Sequence, residues 1–203
     1  VACGKPITPP PAISPTWPAK LPVLFNDQQF AIARTRGATD KQAELREIEH
    51  LFADSIAAAE RHIYIESQYF ASRIVAQAIA DRLAEPNPPE IVIVNPKEAG
   101  GWLEEMVMGP ARAVLVEHLR KHDPHGRFRL YTPVTEGGED IYVHAKIMIV
   151  DDKVLRIGSA NLNNRSMGLD SECDLALCAD CSDDQTVSPT IRRLRADLIA
   201  EHL

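Results

Sequence analysis

Three things are scarce in this sequence, and each scarcity narrows what the chain can be. Only four cysteines occur in 203 residues, too few for a disulfide scaffold, so a reducing compartment is the default expectation. Cations are in deficit: 22 Lys and Arg stand against 29 Asp and Glu, a net charge of -7. That balance argues against a protein that works by coating phosphate backbones and disfavours nucleic acid as a partner. Long apolar runs are missing as well. Stretches such as Ile91 to Val94 and Ile147 to Val150 fall far below the ~20 residues that cross a bilayer. Membrane contact would therefore be peripheral, and the chain is expected in the cytoplasm or at a membrane surface. It starts at Val1 with neither a basic start nor an apolar stretch, so no signal peptide is expected, and a piece of a longer protein is.

What is present fits one globular domain. At 45% hydrophobic and 25% charged residues, a chain of this length buries roughly 70% of its unfolded surface. Seven of the 15 prolines (Pro6, Pro9, Pro10, Pro11, Pro15, Pro18 and Pro22) fall in the first 22 residues, where fixed φ angles and missing N–H groups oppose helix and central strand. Residues 1–25 read as a linker or arm, and 26–203 as one domain. Within it, apolar spacing predicts strands over 30–34, 62–66, 91–94, 128–131, 142–150, 154–157 and 172–177. Helices are predicted over 41–60, 72–84, 103–121 and from Pro189. This alternation implies an α/β fold, a mixed sheet with helices on both faces.

One stretch departs from what packing alone asks. In Val143-His144-Ala145-Lys146-Ile147, strand alternation puts His144 and Lys146 on one face and the apolar residues on the other. An isolated His-x-Lys is most often the solvated face of a strand. Here it is followed by Asp151 and by Gly158-Ser159-Ala160-Asn161, a turn whose glycine permits close backbone approach and whose Ser and Asn supply further donors. A lysine point charge, an imidazole able to attack phosphorus or pass a proton, and a set of donors together suit a phosphodiester.

These residues, H-x-K-x4-D-x6-G-S-x-N in full, resemble the signature of the phospholipase D superfamily. Asn163-Asn164-Arg165-Ser166 and Ile63-Tyr64-Ile65-Glu66-Ser67-Gln68-Tyr69-Phe70 are also similar to family motifs. The latter resembles an I-Y-I-E-N-Q-Y/F-F element of the phospholipid-cleaving members, with Ser67 in place of Asn. The resemblance implies a phospholipase D-like sheet and cofactor-free, metal-independent chemistry in two steps: one histidine forms a phosphohistidine, and a second acts as general acid and then base. Two motifs are needed and this chain holds one. The second is expected in the same polypeptide, this chain being the C-terminal half, or in a second copy. In the C-terminal half His144 takes the general-acid role. Lys146, Ser159 and Asn161 would stabilise the phosphate oxygens, and Glu172 would hold the Nδ1 proton of an active-site histidine. Asp151 is expected to be structural, as a salt bridge or turn cap. Gly158, Gln68 and Tyr69 are assigned to substrate, the last two because ligands gather at the C-terminal ends of strands in such sheets. The expected substrate is a phospholipid; the alternatives are a homodimeric nuclease of the same superfamily and a non-catalytic phosphate- or lipid-binding half-domain.

Other signals carry less. Cys173, Cys178 and Cys181 match an iron-sulfur spacing, but the fourth ligand would be Cys3 in the proline-rich arm. His118 and His122 are spaced as zinc ligands within a charged helix end, where a solvated face is the commoner outcome. Trp102, after two glycines, is a candidate wall of a lipid or alcohol pocket, though core or rim packing is commoner for a tryptophan.

Overall fold

The computed structural model describes residues 18, 20–97 and 102–202, with the backbone alone over 102–108. Most of the arm, including Cys3, and the side chain of Trp102 lie outside the described residues. The first half of the domain comprises β1 (Ala31–Arg36), β2 (Leu45–Arg46), α1 (Glu47–Ala58), β3 (His62–Ser67), β4 (Phe70–Ala71), α2 (Arg73–Leu83), β5 (Glu90–Val94) and α3 (Trp102–Lys121). The second comprises β6 (Phe128–Tyr131), β7 (Lys146–Val150), β8 (Val154–Gly158), β9 (Leu162–Asn163), α4 (Asn164–Gly168), β10 (Glu172–Cys178) and α5 (Val187–Glu201). Eight strands form one mixed sheet in the order β2-β1-β10-β8-β7-β3-β5-β6, and β4 pairs with β9 apart from it.

The expected fold class holds: α1, α2 and α3 cover one face of the sheet and α5 the other. On the first face Ile63, Ile65, Met148 and Val150 pack against Ile48, Phe52 and Ile56 of α1, with Val75 and Ile79 of α2 and Leu119 of α3 in the same cluster. On the second, Tyr64, Ile149, Leu155 and Leu177 pack with Val187 and Ile191 of α5. Period-two alternation along β3, β7, β8 and β10 therefore feeds two cores at once.

Two expectations are corrected. The helix placed over 41–60 begins at Glu47, because Leu45 and Arg46 pair antiparallel with Arg36 and Thr35 and are drawn into the sheet. The strand placed over 142–150 begins at Lys146, since its partner β3 ends at Ser67, the residue opposite Lys146. His144 thus lies in unpaired chain just before β7. The alternation still extends through it: Val143 and Ala145 pack on the α5 face with Ile147, and His144 is exposed.

Register brings the motif residues to one end of the sheet. Ser67 is opposite Lys146, Ile147 is opposite Ile157, Gly158 is opposite Asp174, and Glu172 is opposite Thr35. The loops carrying Gln68, His144 and Ser159 all leave from that end.

Candidate active site

Lys146 is the best-defined group at this end. Its Nζ donates to Gln68 Oε1 at 3.0 Å and to the carbonyl oxygen of His144 at 2.9 Å. Half-burial pushes its pKa down, with the Glu172 carboxylate acting in the opposite direction and Arg156 adding to the lowering. Gln68 is itself fixed: its Nε2 donates to the hydroxyls of Tyr142 at 2.6 Å and Tyr69 at 3.0 Å. The exposed His144 ring stacks on Tyr142 with centroids 6.4 Å apart. His144, Lys146, Gln68 and Tyr69 therefore belong to one connected cluster.

Ser159 and Glu172 are joined directly. The Ser159 hydroxyl donates to one oxygen of Glu172, and Ser166 donates to the other at 2.7 Å. Both serine oxygens accept backbone N–H groups, Ser159 from Cys173 at 3.1 Å and Ser166 from Asn161 at 3.2 Å. Glu172 was expected on a histidine; within this chain its carboxylate accepts hydrogen bonds from two serine hydroxyls. Asn161 sits beside this group, its Oδ1 out of solvent and without a hydrogen-bond partner among the described residues.

Gly158 was assigned to substrate because a glycine permits close backbone approach; what the structure places against its Cα is Asp174: a Cβ there would lie 2.6 Å from the Asp174 Cα and closer still to its carboxylate. The Asp174 side chain occupies the space in order to reach Arg156, forming an ion pair in which both residues are buried, at 0% and 1% exposure. Burial opposes both charges, pushing the Asp174 carboxyl up and the Arg156 guanidinium down. The pair grips the Ala160 peptide from two sides: Arg156 donates to its carbonyl at 2.8 Å and its N–H donates to Asp174 at 3.2 Å. Arg156 also stacks 4.5 Å from the Phe52 ring centroid. Sequence reasoning missed Arg156, because a charged residue in an amphipathic strand reads as solvated. Its signal is the neighbourhood: it interrupts an otherwise apolar strand two residues before the glycine.

Asp151 lies at the far end of β7, away from Lys146. At φ 53° it turns its carboxylate onto three backbone N–H groups, those of Glu60, Arg61 and His62, at 2.6 to 2.8 Å. Burial raises its pKa, and these three bonds together outweigh that and lower it. Among the described residues no three His, Cys, Asp or Glu side chains are grouped to hold a metal, and no helix is long and apolar enough to cross a membrane.

Fold and site thus define an α/β domain with a lysine, a histidine and a hydroxyl-carboxylate cluster at one sheet end. Residues 52–189 match the family described as "Cardiolipin synthase, PLD-like domain", and the chain belongs to that family, within the phospholipase D superfamily. It is 26% identical over 199 residues to a cardiolipin synthase of Geobacillus sp. (strain WCH70), covering 95% of this chain and 34% of that protein. The chain spans about a third of that synthase and smaller shares of several phospholipase D relatives. Its fold is similar to Nuc from Salmonella typhimurium, a phospholipase D family member, with TM-score 0.57 at 14% identity, covering 83% of this chain and 92% of that one. Phosphatidylserine synthase from Haemophilus influenzae Rd KW20 matches with TM-score 0.59 at 18% identity, covering 85% of this chain and 38% of that one.

Proposed function

We propose that the chain is the C-terminal motif-bearing half of a phospholipase D-type hydrolase or phosphatidyltransferase that acts on phospholipids through a phosphohistidine. The observation that carries this is the placement of Lys146, a half-buried ammonium held by two oxygens beside an exposed imidazole. In the first step the histidine of the second motif attacks phosphorus, a P–N bond forms, the P–O bond to the leaving alcohol breaks, and His144 protonates that alcohol. In the second, His144 removes a proton from water or an acceptor alcohol, whose oxygen attacks phosphorus and releases the nucleophile. Lys146 and Asn161 hold the non-bridging oxygens in this scheme, with Gln68 and Tyr69 at the cleft wall. Glu172 uses two of its roughly four acceptor positions on serines, which leaves room for the Nδ1–H of the incoming histidine. Ser159 then turns its proton from Glu172 to the phosphate. Asp151 acts only through the backbone, anchoring the start of β3.

A surface for the second half adjoins the site. Ile32, Leu175 and Ile157 are 62%, 36% and 42% exposed and lie directly opposite one another across β1, β10 and β8, beside the stretch that α5 covers. An open cleft of about 640 Å³ runs along this row from Leu198 of α5 to Lys146 and Gly158. A contiguous apolar row of this kind is where a partner surface is expected.

A homodimeric nuclease is the second reading; the fold match covers 92% of the Nuc chain, so a domain of about this size stands as a whole chain there. The net charge of -7 weighs against it. The test measures head-group release from phospholipid vesicles and cleavage of double-stranded DNA by the assembled two-motif protein, with and without His144→Ala. Phospholipid turnover that falls about 10²–10⁴-fold in the variant is the expected result. DNA cleavage alone would replace the first reading with the second. Undiminished turnover in the variant would overturn both.

A further inference from the structure

At the opposite end of β10 from Glu172, the strand closes on Cys178 and the chain enters a 3₁₀ turn over Ala179–Cys181. Cys178 is the extended residue just before this turn, and a rise of ~2.0 Å per residue through the turn sets its Cα ~6 Å from that of Cys181, inside the window that a disulfide bridges. Both thiols are free; Cys181 is exposed and Cys178 half-buried. They lie within hydrogen-bonding reach, and this contact, followed by the charge of Cys178, burial and Asp180, pushes the Cys181 thiol up. They border a polar depression of about 490 Å³ that also touches Gln28, Ser182 and Asp184. The turn is braced by the bond from Ala179 N–H to the Lys153 carbonyl at 2.7 Å and by the Lys153–Asp180 ion pair at 3.1 Å. Cys173 is different. It sits five residues back along the extended strand, out of reach of the other two sulfurs.

We propose that Cys178 and Cys181 are a dithiol modification site that closes reversibly to a disulfide by exchange with a low-molecular-weight disulfide such as oxidised glutathione. One cysteine, deprotonated, attacks a sulfur of the small disulfide; that S–S bond breaks and one small thiolate leaves and takes up a proton. The second cysteine, deprotonated in turn, attacks the protein sulfur of the mixed disulfide and expels the other small thiolate. The protein loses two hydrogens and two electrons, and the small disulfide is reduced to two thiols. The braced turn holds the second sulfur beside the first, so the mixed species is short-lived. Closure ties the end of β10 to the approach to α5, whose Leu198 lines the open cleft, without touching His144 or Lys146.

The experiment equilibrates the folded chain carrying Cys3→Ser and Cys173→Ser with reduced and oxidised glutathione at a series of ratios, then quenches with acid and reads the intact mass. The expected product is protein lighter by two hydrogens. Its equilibrium constant should lie about tenfold or more above that of the same chain unfolded in urea, and adding Cys181→Ser should leave only a glutathione adduct at Cys178. Stable glutathione adducts on the folded two-cysteine protein, or a constant no higher than that of the unfolded chain, would overturn the proposal.

Discussion

The Arg156–Asp174 pair offers a prediction whose size and sign both follow from burial. An arginine cannot give up its proton in a protein, whereas a buried carboxylate can take one up. Asp174→Asn therefore leaves a guanidinium stranded at 1% exposure with the Ala160 carbonyl and the Phe52 face as its remaining company. The loss expected for stranding a buried charge is about 3–5 kcal/mol. Arg156→Met instead leaves a carboxyl that burial already pushes up; it protonates, and the loss near pH 5 is about 1–3 kcal/mol. The two variants also differ in pH dependence. In Arg156→Met the folded-state pKa of Asp174 stands above its unfolded value of about 3.9, so stability is full below pH ~4. It then falls by up to about 1.4 kcal/mol per unit as pH rises toward the folded pKa. Asp174→Asn has no carboxyl there and adds no such slope. Urea unfolding of the chain reads both, since at a slope of about 2 kcal/mol per molar a 4 kcal/mol loss moves the midpoint by about 2 M. An Arg156→Met variant as costly as Asp174→Asn at pH 5, or one whose deficit ignores pH, would refute the reasoning.

The glycine beneath this pair and a second buried carboxylate yield further expectations. Gly158→Ala puts a Cβ 2.6 Å from the Asp174 Cα, between two paired strands that cannot part, so an overpacking loss of about 1–3 kcal/mol is expected; a thermal midpoint equal to that of the parent would contradict it. Asp152, 3% exposed, receives Arg195 at 2.7 Å and His62 at 3.2 Å. Burial acts upward on its pKa, and these partners bring it to about 2. That depression contributes about 2 kcal/mol above pH ~4, which is lost as pH falls from about 4 to about 2. Thermal unfolding across that range should show Asp152→Asn less stable at neutral pH and less sensitive to acid; parallel curves for the two proteins would count against the assignment.

How far the fold could be read from the sequence depended on how many residues each element spends. Long periodic stretches such as α2 and β3 were found close to their bounds, because several apolar positions agree on one period. β2, β4 and β9 have two residues each, and two residues carry no period. They exist because neighbours distant in sequence offer them partners, as Arg36 does for Leu45. The site divides along the same line. His144, Lys146, Ser159 and Asn161 are close in the chain, and their spacing raised them through its resemblance to a family signature. The groups that hold them come from afar: Gln68 is 78 residues from Lys146 and Asp174 is 18 from Arg156. Their roles are set by sheet register, which no local pattern reports.

That division explains what the Gly-Ser-Ala-Asn turn is built to do. The glycine makes way for Asp174, Asp174 and Arg156 immobilise the Ala160 peptide, and the residues on either side of that peptide are thereby aimed. Ser159 is bonded through the Cys173 N–H on one side and Glu172 on the other, while the Asn161 N–H reaches the same carboxylate by way of Ser166. Two N–H to hydroxyl relays thus converge on Glu172, each oriented so that the serine proton points at the carboxylate. From there the Glu172 carboxylate opposes the lowering that burial imposes on the Lys146 ammonium. The buried ion pair, costly on its own, is therefore best understood as the foundation of this electrostatic balance. Disturbing it should change the site before any residue that faces solvent has been altered.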